Sequence, residues 1–303
     1  MRVELATHAA VLTEPGRVLF GRVERPVPGG DDLLVRVEGS GVCGSNVPLW
    51  QGREWFSYPL APGAPGHEGW GVVDETGERV SFLSTHAFAE WDVARSDELV
   101  VIPDELEGVP FPGEALGCAL NVFRRSGISA GDRVAVVGVG FLGALLVQLA
   151  TAAGADVLAV SRRPFALDVA RRMGAADAVH DAPDAAESCD VVVEAAGVQS
   201  TLDAAARLVR TRGRLVVAGF HQDGPRSIDL QSWNWRGIDV VNAHERDPQA
   251  YVEGMRLAVD AVVSGLLDPL PLYTHVYPLA ELGRALDAAV QRPDGFMKAL
   301  VIA

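Results

Sequence analysis

The chain has 303 residues, of which 49% are hydrophobic and 22% are charged, a composition typical of a globular protein with one or two domains. Its net charge of −14 argues against a nucleic-acid partner, whose phosphates require clustered Lys and Arg, and against attraction to an anionic membrane. No charged and apolar leader opens the chain, and no apolar run reaches about 18 residues, so a cytoplasmic protein is expected. Three scattered cysteines, Cys43, Cys118 and Cys189, fit a reducing compartment and do not suggest a disulfide framework.

The first part of the chain, up to residue 118, has the pattern of an antiparallel β domain. Short β-branched runs at 33–37, 71–73 and 99–102 are separated by segments that contain Pro and Gly. Residues 26–30 and 62–66 are predicted loops from their turn chemistry alone.

From about residue 132 onward, apolar strands alternate with helices. The predicted elements are strands at 133–138, 156–160, 190–194, 214–218 and 238–242 and helices at 141–153, 164–173 and 251–264. Such alternation indicates a parallel sheet covered on both faces. Residues 268–303 return to a strand-like texture. The sequence therefore predicts an α/β protein with a β-rich domain (1–118 and 268–303), into which a dinucleotide-binding domain (119–267) is inserted.

The first of these strands leads into a glycine-rich turn. Residues 138–143 read Gly-Val-Gly-Phe-Leu-Gly, a G-x-G-x-x-G motif between a strand and a helix. Gly138 permits the tight turn, Gly140 lets the backbone approach a pyrophosphate, and Gly143 lets the helix pack closely on the strand. Phe141 and Leu142 open the helix whose N-terminus would face the phosphates. The alternative is a glycine turn without a ligand.

The end of the second strand of this domain indicates which dinucleotide binds. An NAD enzyme requires an acidic residue there for the ribose hydroxyls, whereas this chain has Ser161, Arg162 and Arg163. The two guanidinium groups can pair with a 2′-phosphate, so NADP is expected and NAD is less favoured. The alternative is a pair of solvated surface arginines. Ala196 and Gly219, which follow two later strands, are further candidates for contact with the cofactor.

Three separate segments carry side chains that can bind a metal ion. They are Gly-Val-Cys-Gly-Ser-Asn at 41–46, Gly-His-Glu-Gly at 66–69 and Gly-Glu-Ala-Leu-Gly-Cys at 113–118. Taken singly each is weak, because a lone Cys is usually a small buried hydrophobe. Together with the glycine motif, they resemble the zinc-type medium-chain dehydrogenase/reductase family, which includes alcohol, sorbitol and threonine dehydrogenases. The resemblance covers nearly the whole chain.

This resemblance implies a β-rich GroES-like catalytic domain with an inserted Rossmann domain of the doubly wound parallel type. It makes Cys43, His67 and Glu114 the protein ligands of a catalytic zinc, with Glu68 as a fourth or exchanging ligand. Three protein ligands leave an open position for a substrate oxygen. Zinc there would polarise a carbonyl or stabilise an alkoxide while hydride passes to or from the nicotinamide.

The resemblance also implies roles for the neighbours of these ligands. Ser45 matches the hydroxyl that takes the alcohol proton, and Cys118 matches a position that contacts the nicotinamide. Pro48 stands where the family often continues the proton relay with histidine, so the proton must leave through water, ribose or another group such as His86. Asn46 replaces the usual Asp. Residues 80–90 contain no cysteine, so the second, structural zinc of many relatives is not expected and one zinc per chain is.

An aromatic segment lies between the first two ligand segments. The resemblance implies that this loop lines the substrate pocket, so Trp50, Trp55, Phe56 and Tyr58 suggest an aromatic-lined site for a small alcohol or carbonyl substrate; packing between the domains is an equal alternative. Neither the substrate nor the roles of Trp233 and Trp235 can be read from the sequence.

Two other functions stay open at this point. One is a metal-free NADPH-dependent reductase of enones or quinones from the same superfamily, and the other is a non-enzymatic NADPH-binding protein. The resemblance also implies a homodimer that pairs through the strand at 238–242.

Overall fold

The computed structural model describes residues 6–182 and 185–303, which divide into two compact units. The first unit runs to Gly117 and also contains Asp247–Val263 and Tyr273–Ala303, and the second contains Cys118–Arg246 and Ser264–Leu272. Among the described residues, no helix is long and apolar enough to cross a membrane.

The elements of the first unit are mostly strands. They are β1 (Ala6–Glu14), β2 (Arg17–Glu24), β3 (Asp32–Val42), α1 (Asn46–Trp50), β4 (Glu68–Val73), β5 (Arg79–Phe82), β6 (Trp91–Arg95), β7 (Leu99–Val101), α7 (Pro248–Val263), β14 (Tyr273–Pro278), α8 (Leu282–Gln291) and β15 (Lys298–Ile302). Helix α2 (Gly113–Ser126) begins in this unit and continues into the second.

Most of these strands form one sheet with the order β14-β15-β3-β4-β5-β7, and β6 also pairs with β3. Its strand pairs are antiparallel except for β14 and β15. Strands β1 and β2 form a separate antiparallel hairpin. The β-rich domain expected from the sequence is therefore confirmed.

Two features of the first unit differ from the sequence-based expectations. Helix α7, assigned above to the inserted domain, belongs to the first unit, where Gly117 lies so close that a Cβ on it would be 2.7 Å from the backbone nitrogen of Met255. The C-terminal segment, expected to be strand-like, contains helix α8 between its two strands. This helix buries Leu282, Ala285 and Leu286, which share one face, in the hydrophobic core.

The second unit is a parallel sheet with helices. Its elements are β8 (Arg133–Val137), α3 (Phe141–Ala152), β9 (Asp156–Val160), α4 (Pro164–Arg172), β10 (Asp177–Val179), β11 (Cys189–Glu194), α5 (Gln199–Leu208), β12 (Val209–Val217), α6 (Leu230–Arg236) and β13 (Asp239–Asn242). The strand order is β10-β9-β8-β11-β12-β13, and every pair is parallel. Counted within the unit this is the order 3-2-1-4-5-6 of the Rossmann fold, which confirms the fold expected from the resemblance, although β10 was not among the five strands expected from the sequence.

The core of the second unit is formed by the strands that the sequence marked as fully apolar. Val134, Ala135 and Val136 of β8 have no exposed surface. The two tryptophans of helix α6 differ, since Trp233 is buried in this core and Trp235 is 89% exposed. Trp233 is thus a packing residue.

Candidate active site

Three strand ends of the first unit meet beside Cys43. Strand β3 ends just before Cys43, and β4 begins just after His67. Because the two strands are antiparallel and pair Gly41 with Glu68, Cys43 and His67 lie next to each other. On the other side of β3, antiparallel strand β15 begins at Lys298, at the same end of the sheet. The register of the sheet therefore joins segments that are distant in sequence.

Cys43, His67 and Glu68 form a cluster of possible metal ligands, within which one donor atom from each lies within 4.8 Å of the others. Cys43 and His67 are partly buried and Glu68 is buried. Glu114, in the first turn of α2, lies outside this closest group and acts on His67 through its charge. The structure thus brings Cys43, His67 and Glu68 together, and the charge of Glu114 acts on the same imidazole.

The imidazole of His67 is oriented by the backbone. Its Nδ1 lies 2.9 Å from the carbonyl oxygen of Pro65, which leaves Nε2 directed at the cluster. Asn46 does not pair with His67, because its Nδ2 donates to the same carbonyl at 3.3 Å while its Oδ1 accepts from the backbone N–H of Cys43 at 3.0 Å. Ser45 places its Oγ 3.4 Å from Nε2. The neutral amide of Asn46 therefore links the loop that contains Cys43 to the loop that contains His67.

The negative side chains of the cluster stabilise a positive charge placed among them. Burial by itself lowers the pKa of His67, but the neighbouring Cys43, Glu114 and Glu68 outweigh burial and raise this pKa to about 10. A thiol, an imidazole and a carboxylate are also among the ligand types that bind zinc in proteins. The donor set and its charge therefore fit a zinc ion.

In the second unit, the glycine motif has the geometry that a dinucleotide requires. Gly138 has a φ of +100°, which favours glycine, and a Cβ on Gly143 would lie 2.1 Å from the carbonyl oxygen of Gly138. A Cβ on Gly140 would meet no protein atom within 4 Å. Phe141 and Leu142 form the first turn of α3. The first and third glycines are therefore needed by the fold, and the second leaves open space at the helix N-terminus.

The other predicted cofactor residues lie at the carboxyl ends of neighbouring strands. Ser161 follows β9, is buried, and accepts a hydrogen bond from the backbone N–H of Arg163 at 3.3 Å. Arg162 is exposed. Ala196 and Gly219 follow β11 and β12. Ligands of open parallel sheets bind at this edge, so the placement is suitable for a cofactor.

A buried carboxylate at the same edge was not singled out from the sequence. Glu194, the last residue of β11, has no exposed surface, and its Oε1 accepts from the backbone N–H groups of Ala196 and Gly197 at 2.8 Å each. Thr201 Oγ1 donates to the same oxygen at 2.6 Å, and His221 Nε2 lies 3.0 Å from Oε2. An acid directly after three buried valines, at the end of the strand, was the available signal. Glu194 fixes the turns that follow β11 and β12.

The aromatic residues between 50 and 58 differ in their surroundings. Trp50 is 7% exposed, packs in the core and donates from Nε1 to Asp287 at 2.9 Å, so it is a structural residue. Trp55 is 55% exposed and remains available to a ligand. Tyr58 donates a short hydrogen bond to the carbonyl of Leu49. Cys118 is partly buried in α2, four residues after the glutamate of its first turn.

Comparisons with known proteins agree with this geometry. Residues 29–85 match the alcohol dehydrogenase GroES-like domain, and residues 142–260 match the zinc-binding dehydrogenase family, which together cover more than half of the chain. The chain therefore belongs to the zinc-type medium-chain dehydrogenase/reductase family and is an oxidoreductase of that family.

Individual relatives are distant. The 2-dehydro-3-deoxy-L-galactonate 5-dehydrogenase of Pseudoalteromonas atlantica is 30% identical over 62% of this chain and 56% of its own length. The D-arabitol-phosphate dehydrogenase of Enterococcus avium is 23% identical over 91% of this chain and 92% of its own. A zinc-binding dehydrogenase from Sinorhizobium meliloti, solved with NADP, has a TM-score of 0.83 and 27% identity over 99% of this chain and 100% of its own.

Proposed function

We propose that the protein is a zinc-dependent dehydrogenase that transfers hydride between NADP(H) and a small alcohol or carbonyl substrate. The observation that carries the proposal is the proximity of Cys43 and His67, which each have a donor atom within 4.8 Å of the other and of a carboxylate oxygen of Glu68, in a chain of this family. A metal-free reductase or a simple NADPH-binding protein has no use for this set. The named relatives that act on a sugar acid and on arabitol phosphate support a polyol-type alcohol.

Each residue near the cluster has a chemical task in this proposal. Cys43, His67 and Glu114 would hold the zinc, which when bound supplies the Lewis acidity that polarises a carbonyl or lowers the pKa of a hydroxyl. The Pro65 carbonyl keeps the imidazole of His67 in the orientation that presents Nε2. Ser45, with Oγ 3.4 Å from that nitrogen, takes the proton of the substrate hydroxyl.

The preference for NADP is supported by the end of β9. No acid stands there to bind the ribose hydroxyls, and two guanidinium groups, of Arg162 and Arg163, follow a buried Ser161. The NADP complex of the relative from Sinorhizobium meliloti supports the same choice. NAD is the alternative that direct binding measurements distinguish.

We also propose a homodimer that works in the cytoplasm. Strand β13 is at the edge of the six-stranded sheet, and exposed apolar side chains such as Val240 and Trp235 lie on and before it. Light scattering should give twice the chain mass, and Val240→Asp should give the monomer.

The described cysteines are all unpaired, which suits a reducing compartment such as the cytoplasm.

The decisive test is metal content together with cofactor binding. We expect about one zinc per chain in the wild type and none in Cys43→Ser, while NADPH fluorescence shows binding to both and NADH binds more weakly. Cys189→Ser, which removes a buried thiol from the core of the other unit, is the matched control and should keep its zinc. A wild type without zinc after supplementation would instead favour the metal-free reductase.

A further inference from the structure

The only lysine of the chain lies beside the metal-ligand cluster. All other basic residues among the 26 are arginines, yet Lys298 is 4% exposed and pairs with Glu68, which is 1% exposed. Lys298 Nζ donates to Glu68 Oε1 at 2.6 Å and lies 2.5 Å from Oε2. The ammonium thus contacts both oxygens of the carboxylate that is also part of the cluster.

The sheet is built to accommodate this pair. Lys298 and Glu68 are the first residues of β15 and β4, which flank β3 on opposite sides. Between them lies Gly41 of β3, where a Cβ would be 1.8 Å from Glu68 Oε2 and 3.1 Å from Lys298 Cε. The two side chains therefore meet across β3 at a position that has no side chain.

Glu68 has two possible cations to neutralise it. Its carboxylate is close enough to Cys43 and His67 to become a ligand, and it is also in contact with Lys298. A buried carboxylate without a cation is unfavourable, so the loss of one cation strengthens the demand for the other. A metal at the cluster and the ammonium of Lys298 therefore compete for the same group.

We propose that Lys298 is a positioning residue that holds the carboxylate of Glu68 away from the metal and thereby keeps the fourth coordination position free for the substrate oxygen. This rests on the proposed function. A compact ammonium suits the task, because it acts as a point charge on two oxygens and needs less space than the planar fork of arginine. Lys298 acts through Glu68 and does not itself contact the substrate.

The first experiment compares the wild type with Lys298→Met, which keeps the length of the side chain and removes its charge. Both are loaded with Co²⁺ in place of zinc, and metal loss to a chelator and the visible spectrum are recorded with and without imidazole as a probe of the free position. We expect Lys298→Met to lose metal more slowly, by about tenfold or more, because the released carboxylate of Glu68 becomes an additional ligand that must also dissociate; without such a ligand, loss of an outer contact usually weakens metal binding. Its spectrum should no longer respond to imidazole.

The matched control is the double variant Lys298→Met with Glu68→Gln. It has the same loss of the ammonium but no carboxylate to move, so metal loss and the imidazole response should return toward those of the wild type. If the single and double variants behave alike, or if Lys298→Met behaves as the wild type does, the proposal is overturned. A wild type that takes up no Co²⁺ overturns the proposed function as well, so the two failures are distinguishable.

A measurement on the wild type guards against a single variant that does not fold. Because Lys298 is the only lysine, protein labelled with ¹³C at lysine Cε gives one side-chain signal. We expect this signal to keep its position when zinc is added, since the ion pair persists. A large shift on zinc binding, absent in Glu68→Gln, would show that Glu68 leaves Lys298 for the metal and would overturn the proposal.

Discussion

Alanine substitutions at Gly140 and Gly143, the second and third glycines of the motif in the second unit, should have different effects on cofactor binding and stability. A methyl group at Gly140 would meet no protein atom within 4 Å, and the φ of −97° at this residue is accessible to alanine. A methyl group at Gly143 would lie 2.1 Å from the backbone oxygen of Gly138, and a backbone atom cannot move aside as a flexible side chain can. The first substitution should impair the ligand site and the second the fold.

The expected magnitudes follow from these distances. In Gly140→Ala, the reduced freedom of the unfolded chain stabilises the fold by about 0.4–1 kcal/mol. The poorer helix N-cap destabilises it, so the net change in the free energy of unfolding should be less than about 1 kcal/mol. The methyl group fills the space required by a pyrophosphate, and the Kd for NADPH should rise at least about tenfold, or 1.4 kcal/mol. In Gly143→Ala, overpacking should cost about 1–3 kcal/mol.

Thermal unfolding and NADPH fluorescence titration distinguish these outcomes when both are run on the same preparations. Gly21→Ala, where a methyl group also meets nothing within 4 Å but lies in strand β2 of the other unit, is the matched control for Gly140→Ala. Normal NADPH affinity in Gly140→Ala would refute the placement of the pyrophosphate. An unchanged Tm in Gly143→Ala would refute the packing argument.

Two further predictions concern buried and partly buried acids of the second unit. His221→Ala removes the nitrogen that lies 3.0 Å from the fully buried Glu194, so urea unfolding should show a loss of about 1–3 kcal/mol, and His221→Gln, which keeps an N–H donor, should recover part of it. The pKa of Asp190 is lowered by hydrogen bonds from the backbone N–H of Arg133 at 2.8 Å and from Arg210 at 2.7 Å. The stabilisation of the fold by the ionised Asp190 is therefore present at neutral pH and is lost as pH falls through the lowered pKa. Asp190→Asn should lower the Tm at pH 7, and the difference in Tm from the wild type should shrink on acidification. A difference in Tm that does not depend on pH would contradict this prediction.

The elements of the second unit could be predicted closely because their pattern is simple. The strand expected at 156–160 has those bounds, and the helix expected at 141–153 ends one residue earlier. Fully apolar strands next to a glycine motif have few alternative interpretations. Strand β12, however, begins at Val209, five residues before its predicted start, because residues 210–212, which follow the buried Val209, are polar and exposed and give no apolar strand pattern.

Helix α8 was missed for a different reason. The prolines around it suggested strands and turns, although Leu282, Leu286 and Ala289 are spaced as on one face of a helix. Only packing against Trp50 and the strands of the core shows that this face is buried. The spacing of these apolar residues was the available signal in the sequence.

The candidate site could be predicted only in part. The proximity of Cys43 and His67 was expected only from the resemblance to a family. The antiparallel register of β3 and β4 supplies the physical reason for it. Lys298 could not be found in this way, because it is 230 residues from Glu68 and only the addition of β15 to β3 brings the two together. Such a contact depends on the topology of the whole sheet and has no local signal.

The charges of the cluster suggest why it contains a buried lysine. When Cys43 binds a metal as a thiolate, the cluster has three negative side chains: Cys43, Glu68 and Glu114. A divalent cation neutralises two of these charges, and Lys298 neutralises the third. The pKa of His67 shows the same imbalance, since the three acidic groups raise it to about 10 although burial lowers it. A zinc ion would provide the positive charge that this site otherwise draws from a proton on His67. Removal of Lys298 should therefore leave the protein more dependent on its metal for stability.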